Sequence, residues 1–181
     1  MPTNITTRRF VLREFRPADR AQFLAYQTDP AFTIFHDDNE LEAANANNVF
    51  QLFLEWQQQT PRQNYQLAIC MGSDDAILIG SCGVRMQGCR DGEAIFGIEL
   101  ARPYWGRFGY AQEASAALIG WAFATLDLST LIADTAFGNA AVARLAEAAG
   151  FVRTHADDKQ WWRLSRPAWN DARLQPQRTL P

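Results

Sequence analysis

The stretch from Glu99 to Ala114 holds the residues whose order best suits chemistry. Trp105-Gly106-Arg107-Phe108-Gly109-Tyr110 follows an alternating, strand-like segment and opens directly into a helical pattern. In that order, free backbone N–H groups of the loop and first helical turn converge with the positive end of the helix dipole. Glycine lets a ligand approach the main chain, so the stretch suits a phosphate or pyrophosphate. Gly106 and Gly109 are the permissive points. Two glycines ahead of a helix also serve a plain strand-to-helix turn. The loop carries neither G-x-G-x-x-G nor a Gly-Lys-Ser/Thr ending, so neither a dinucleotide fold nor a P-loop is indicated.

The elements that position this loop are legible from periodicity. Arg8 to Phe15 alternates, with Phe10, Leu12 and Glu14 on one face and Val11, Arg13 and Phe15 on the other, as a strand does. Pro17 fits a first helical turn, Ala18, Ala21, Leu24 and Ala25 continue at helical spacing to Gln27, and Asp29-Pro30 ends the run. A second helix is expected over Asn39 to Gln59, broken by Thr60-Pro61. Tyr65 to Met71, Ala76 to Met86 and Glu93 to Ala101 read as an antiparallel meander, turning at Gly72 to Asp75 and Gly88 to Gly92. From Gly109 the period becomes helical, with Ala111, Ala114, Leu118, Trp121 and Ala122 on one stripe and Glu113 in the first turn, where the dipole favours it. Leu131 to Ala136 is a short strand, and Asn139 caps a helix carrying Val142, Leu145, Ala146 and Ala149 that Gly150 stops. Phe151 to His155 and Gln160 to Leu164 close the pattern as a hairpin.

This pattern predicts an α/β, three-layer fold with a mixed, mostly antiparallel central sheet of about seven strands flanked by helices. It is expected to form one domain over residues 1–170, with 171–181 a flexible tail that includes the polar, proline-bearing Gln175 to Pro181. With 181 residues and 48% hydrophobic content, the chain can bury one core of ordinary size. Its formal charge of −3 gives no general attraction to polyanions, so nucleic acid is not an expected partner. Cys70, Cys82 and Cys89 are odd in number and lack metal-ligand spacing, which argues against a disulfide framework or a zinc site, and no metal is expected. The richest apolar run, Ala116 to Leu126, is too short to span a bilayer, and Met1 to Phe10 has no apolar signal core. No membrane partner and a cytoplasmic location are therefore expected.

Trp105-Gly106-Arg107-Phe108-Gly109-Tyr110-Ala111-Gln112-Glu113-Ala114 resembles the acetyl-CoA loop of the GNAT superfamily of N-acetyltransferases, written Gln/Arg-x-x-Gly-x-Gly/Ala. It is most similar to the RimJ/RimL-like branch, whose later Asn-x-x-Ser and Gly-Phe are matched by Asn139 to Val142 and by Gly150-Phe151. The resemblance runs over residues 8 to 169 in element order. This sequence departs from the branch in three places. One extra residue separates Trp105 from Gly109, so the Gln/Arg position falls on Gly106, with Arg107 and Phe108 filling the gap; Val142 replaces the serine; and Ala146 stands where many members carry a general-acid tyrosine.

The resemblance implies that the pantetheine arm pairs with the strand Glu93 to Ala101, where a bulge splays it from the next strand. Leu100 and Ala101 would bond the arm, Gly106 and the backbone of Arg107, Phe108, Gly109, Tyr110 and Ala111 would hold the pyrophosphate, and Asn139 would contact the cofactor from the next helix. Acetyl-CoA is the implied cosubstrate, and a primary amine, either a protein N-terminus or a small molecule, is the implied acceptor. An attacking amine must be neutral, so a base or water relay is expected. Glu99 is the first candidate, and Glu93, on the same face by period-two spacing, is the reserve. Each of them equally suits a solvated strand residue or a partner for an arginine. A main-chain N–H near Leu100 or Ala101 would hold the oxyanion. His36 and His155 stand apart from the motif and suit surface roles better. Acceptor specificity is expected from Phe32 to Asp38 and His155 to Trp161. The aromatic residues Trp161, Trp162, Trp169, Phe32, Phe35, Phe50 and Phe53 suit either a core or an acceptor pocket.

Two other readings compete. The missing tyrosine and serine suit a non-catalytic acyl-CoA sensor or regulatory module of the same fold. Gly106 to Gly109 also fits the G-x-x-G of a KH-type RNA binder, although a strand precedes the loop here and the chain is acidic. The oligomeric state is open, a homodimer included.

Overall fold

A computed structural model describes residues 2–30, 43–72, 74–106 and 108–174. The acceptor segment Phe32 to Asp38 with His36, the beginning of the expected second helix, Arg107, and the tail from Gln175 lie outside the described residues.

Eight strands form a single sheet: β1 (Asn4–Thr6), β2 (Phe10–Glu14), β3 (Asn64–Met71), β4 (Asp74–Arg85), β5 (Glu93–Leu100), β6 (Thr130–Thr135), β7 (Val152–Ala156) and β8 (Gln160–Ser165). Their spatial order is β1-β2-β3-β4-β5-β6-β8-β7, and every neighbouring pair is antiparallel except β5 and β6. Among the described residues five α-helices accompany them: α1 (Arg20–Gln27), α2 (Ala43–Trp56), α3 (Tyr110–Thr125), α4 (Ala140–Ala148) and α5 (Arg166–Leu174). The expected meander is β3-β4-β5, and the closing hairpin is β7-β8. The sheet has one strand more than anticipated, because Asn4–Thr6 pairs with Val11 to Arg13, and α5 was not anticipated at all.

Strand alternation sorts the core onto the two sides of the sheet. One side gathers Phe10, Leu12, Leu67, Ile69, Val84, Ala94 and Phe96 against Leu118, Ile119 and Ala122 of α3, with Trp162 and Trp169 closing the far end. The other gathers Phe15, Ala68, Cys70 and Leu78 against Phe23 and Tyr26 of α1 and Phe50 and Phe53 of α2. Phe50, Phe53, Trp162 and Trp169 are thus core residues, whereas Trp161 is only partly buried and stacks on His155 with centroids 5.8 Å apart. Burial pushes the Cys70 thiol up to about 11 and the Cys82 thiol higher still, so both stay protonated and unreactive at neutral pH.

The feature that matters for function is a parting of the sheet. β5 and β6 pair only over Glu93 to Ile95 against Thr130 to Ile132, while β5 stays paired with β4 to Leu100 and β6 stays paired with β8 to Thr135. Each half of the sheet twists with its own partner, so the two diverge beyond Ile95. The expected bulge is absent: the β4–β5 register runs without a shift from Arg85↔Ile95 to Gly80↔Leu100. The opening comes from divergent pairing rather than from an inserted residue.

Candidate functional site

The parting leaves one edge of β5 without a strand neighbour from Phe96 onward. Ala101 donates its N–H to the Ile79 carbonyl at 2.8 Å, so by ladder alternation the main-chain groups of Ile98 and Leu100 face away from β4, toward the opening. Of the two residues expected to offer main-chain groups, Leu100 is therefore directed at the opening, whereas the Ala101 N–H is already used within the sheet. Ile98 was missed, although it shares the period-two position of Leu100. The Leu100 carbonyl accepts the Trp105 indole N–H at 2.5 Å, which ties the following loop back to the strand.

A short 3₁₀ turn, Arg102–Tyr104, leads into that loop. Gly106, Phe108 and Gly109 all have positive φ, at 61°, 50° and 69°. Gly109 is the N-cap of α3, with no side chain capping the helix. The first helical bond runs from the Glu113 N–H to the Gly109 carbonyl, so the N–H groups of Tyr110, Ala111 and Gln112 lack intrahelical acceptors. Nothing lies within 4 Å of where a Gly106 Cβ would stand, so the main chain there is open to approach. Phe108 is 75% exposed, with its ring 5.8 Å from that of Tyr110.

Glu113 would bring negative charge to this helix start, but Arg9 meets it through its main-chain N–H at 2.9 Å and its guanidinium at 2.6 Å. Burial opposes ionisation of Glu113; hydrogen bonds from Thr7 and Arg9 outweigh that and hold its carboxyl below the usual range.

Strand edge, loop and helix start together wall a cleft of ≈1050 Å³. Its far wall is α4, from Asn139 to Ala148. Asn139 caps α4 by accepting the Val142 N–H at 3.2 Å, and it also borders the cleft, as does Arg144, a cation that the sequence reading overlooked. Val142 lines the wall, whereas Ala146 is buried in the core and offers the cleft no acid. Tyr104 is a hydroxyl-bearing residue on the cleft wall.

Glu99 is one of the residues that line the cleft. Its Oε1 accepts hydrogen bonds from the Tyr26 hydroxyl at 2.9 Å, the Gln27 amide at 2.5 Å and the Ser81 hydroxyl at 2.9 Å, while its Oε2 accepts none among the described residues. Ser81 itself accepts from the Gln66 amide at 3.0 Å, which directs its proton to Glu99. Burial, and then the Glu99 charge, raise Tyr26 well above the ordinary tyrosine range, so its hydroxyl keeps the proton that it donates to Glu99. These supports come from α1, β3 and β4, and no local sequence signal ties them to Glu99. Glu93 is about 20 Å away, six residues along the strand. It does not line the cleft, and its carboxylate is ion-paired with Arg163.

The helix start with its free N–H groups, the unpaired strand edge and Glu99 all border one cleft. A family model described as acetyltransferase (GNAT) domain matches residues 9–152. An uncharacterized N-acetyltransferase p20 of Bacillus licheniformis is 26% identical over 148 residues, covering 81% of each chain. Among solved structures, an acetyltransferase from Agrobacterium tumefaciens superposes with a TM-score of 0.72 at 26% identity, over 91% of this chain and 95% of that one. The ribosomal-protein-S5-alanine acetyltransferase of Vibrio fischeri matches with a TM-score of 0.74 at 14% identity, over 92% and 98%. The spermidine N-acetyltransferase of Vibrio cholerae, in complex with CoA and spermine, matches with a TM-score of 0.74 at 14% identity, over 89% and 98%. Ribosomal-protein acetyltransferases are thus among the structural neighbours, as the resemblance to the RimJ/RimL-like branch implies. Among the described residues no helix is long and apolar enough to cross a membrane.

Proposed function

The chain belongs to the GNAT acetyltransferase family and is an N-acetyltransferase, and on that premise we propose that it moves the acetyl group of acetyl-CoA to a primary amine by direct attack in a ternary complex. The observation that carries this reading is the position of Glu99. Glu99 lines a cleft bordered by the open start of α3 and the free edge of β5, and its carboxylate is held by three donors.

Acetyl-CoA supplies an acyl group activated as a thioester. The N–H groups of Tyr110, Ala111 and Gln112 suit the diphosphate, and the main chain at Gly106 is open to approach. Asn139 and Arg144 suit the opposite side of that headgroup. Ile98 and Leu100 offer main-chain groups to the pantetheine amides, in the manner of strand addition. The Leu100 N–H is the donor for the carbonyl oxygen as negative charge develops on it.

The acceptor arrives as an ammonium and must lose a proton before its nitrogen can attack. Glu99 Oε2 takes that proton directly or through a water, while three donors on Oε1 hold the carboxylate in place. The N–C bond forms as the C–S bond breaks, the nitrogen gives its second proton to solvent, and the thiolate leaves unaided or takes a proton from Tyr104, the hydroxyl on the cleft wall, which regains one from solvent. Glu93, committed to Arg163, is not part of this chemistry. The acceptor is a protein N-terminus or a small-molecule amine. The test is thiol release from acetyl-CoA across a panel of peptides, amino compounds and polyamines, alongside calorimetry with coenzyme A. Release that depends on an amine supports the reading. Coenzyme A binding without release from any amine supports a sensing module instead.

A further inference from the structure

The sheet face that meets α1 carries charge that the cleft leaves unused. Gly83 and Gly97 lie directly opposite each other on β4 and β5, leaving a strip of bare backbone. Neighbouring side chains cover the strip: a Cβ on Gly83 would stand 2.2 Å from Gln66 Oε1 and 2.5 Å from the Tyr65 carbonyl oxygen, and one on Gly97 would stand 3.1 Å from Arg85 Nη2. The Arg85 guanidinium therefore lies over Gly97, two residues along β5 from Glu99, or about 7 Å.

The other charges nearby are matched. Glu93 pairs with Arg163, and Asp134 pairs with Lys159 at 3.0 Å. Arg85 is not matched. Among the described residues its guanidinium makes one long hydrogen bond, 3.4 Å to the neutral Gln66 Oε1, and no carboxylate comes within ion-pairing distance. Burial lowers its hold on the proton, although the charges of Glu99 and Asp134 partly offset this. A partly buried guanidinium, a planar fork of five donors left almost unused, is matched best by a planar, bidentate anion. Gln66 links the two ends of the strip: its amide nitrogen goes to Ser81, which holds Glu99, and its oxygen faces Arg85.

Resting on the acetyl-transfer reading, we propose that Arg85 is the anion-recognition point of the acceptor site, and that the acetylated amine carries a carboxylate within about 7 Å of its nitrogen, the span from Arg85 to Glu99 along β5. The amine then lies at Glu99 and the carboxylate against the Arg85 guanidinium. A polycation such as spermine, present in the Vibrio cholerae structure, has no anion for Arg85 and meets its charge with repulsion.

The test is steady-state thiol release with paired acceptors that differ only in carboxylate against carboxamide. One arm uses aminocarboxylates from glycine to 6-aminohexanoate; the other uses peptides opening on Asp or Glu against Asn or Gln; spermine is included as a polycation. The expected result is a preference in kcat/KM for the carboxylate of about 10- to 100-fold in one arm, the size of a charge-assisted hydrogen-bond pair. That arm identifies the source. Arg85→Met should erase the preference, Arg85→Lys should restore part of it, and calorimetric affinity for coenzyme A should not change in either. Equal rates for the pairs in wild type, a preference that survives Arg85→Met, or spermine as the best acceptor each overturn the proposal. The wild-type pairs decide it even if the variants fold poorly. Turnover without carboxylate preference sinks this proposal alone, whereas no coenzyme A binding and no release with any amine sink the acetyl-transfer reading and this one together.

Discussion

Replacing Glu99 by Gln separates the base from the scaffold that holds it. Gln is isosteric, and its amide oxygen can still accept from Tyr26, Gln27 and Ser81, so the network around Oε1 survives while the proton acceptor at Oε2 becomes an amide nitrogen. Each of the three bonds loses its charge assistance, about 1 kcal/mol apiece. The cost of holding a partly buried carboxylate is lifted at the same time. The melting temperature should accordingly move by only a few degrees. Loss of general-base assistance should lower kcat/KM by about 10²- to 10⁴-fold, or roughly 3–5 kcal/mol of barrier. The assay is initial-rate thiol release with the best acceptor, with coenzyme A affinity measured in parallel; that affinity should stay within about twofold, because the proposed contacts are main-chain groups and the helix start. A Glu99→Gln enzyme that keeps its rate within about threefold of wild type would refute the assignment of the base. An equal loss in coenzyme A affinity would show that the carboxylate serves the cleft's shape rather than proton transfer.

Other outcomes follow from the same geometry. Gly109 stands at φ 69° as the N-cap of α3, so Gly109→Ala should cost about 1–2 kcal/mol in a backbone state that L-residues avoid and, by shifting the free N–H groups, weaken coenzyme A binding by about tenfold in calorimetry. Glu113 is held below its ordinary value of 4.5, so its stabilising contribution is present above that pH and is lost as pH falls through the depressed folded-state value. Thermal melts should therefore show wild type losing more stability than Glu113→Gln between pH 6 and pH 3, with no such difference above pH 6. Leu118 is fully buried between α3 and the sheet, so Leu118→Ala should destabilise by about 3–5 kcal/mol in urea titration with little change in the slope.

What the sequence revealed and what it hid divide along the line between local and distant interactions. The loop before α3 and the Asn139 cap are local: glycines at fixed offsets, an N-cap and a change of hydrophobic period all act within a few residues. Their structural counterparts appear where expected. The support of Glu99 is not local. Tyr26, Gln27 and Ser81 reach it across sequence separations of 73, 72 and 18 residues, and nothing in the pattern around any of them points to the others. Glu93 and Glu99 look equivalent by spacing, and only the position of Arg163 on a strand two places away in the sheet separates their roles. Two elements were missed for different reasons. β1 is three residues long and mostly exposed, so it has too little alternation to register. In α5, Ser165 accepts the Ala168 N–H and Pro167 fits the first turn, a start signal obscured by a segment with few apolar residues.

β5 serves both halves of the proposed site, and this makes its register decisive. Side chains of Ala94, Phe96, Ile98 and Leu100 point toward α3 and those of Ile95 and Glu99 toward α1, while the main-chain groups of Ile98 and Leu100 turn to the open edge. A slip of one residue would carry Glu99 into the apolar side and bring Leu100 beside Ser81, removing the carboxylate and rotating the free N–H groups inward together. The proposed cofactor half relies on main-chain groups, so it depends little on side-chain identity. The acceptor half relies on Glu99, Arg85 and their partners, so it can change specificity without disturbing the cleft. The constraint joining the halves is the buried row Ala94, Phe96 and Leu100, whose packing fixes which way Glu99 faces.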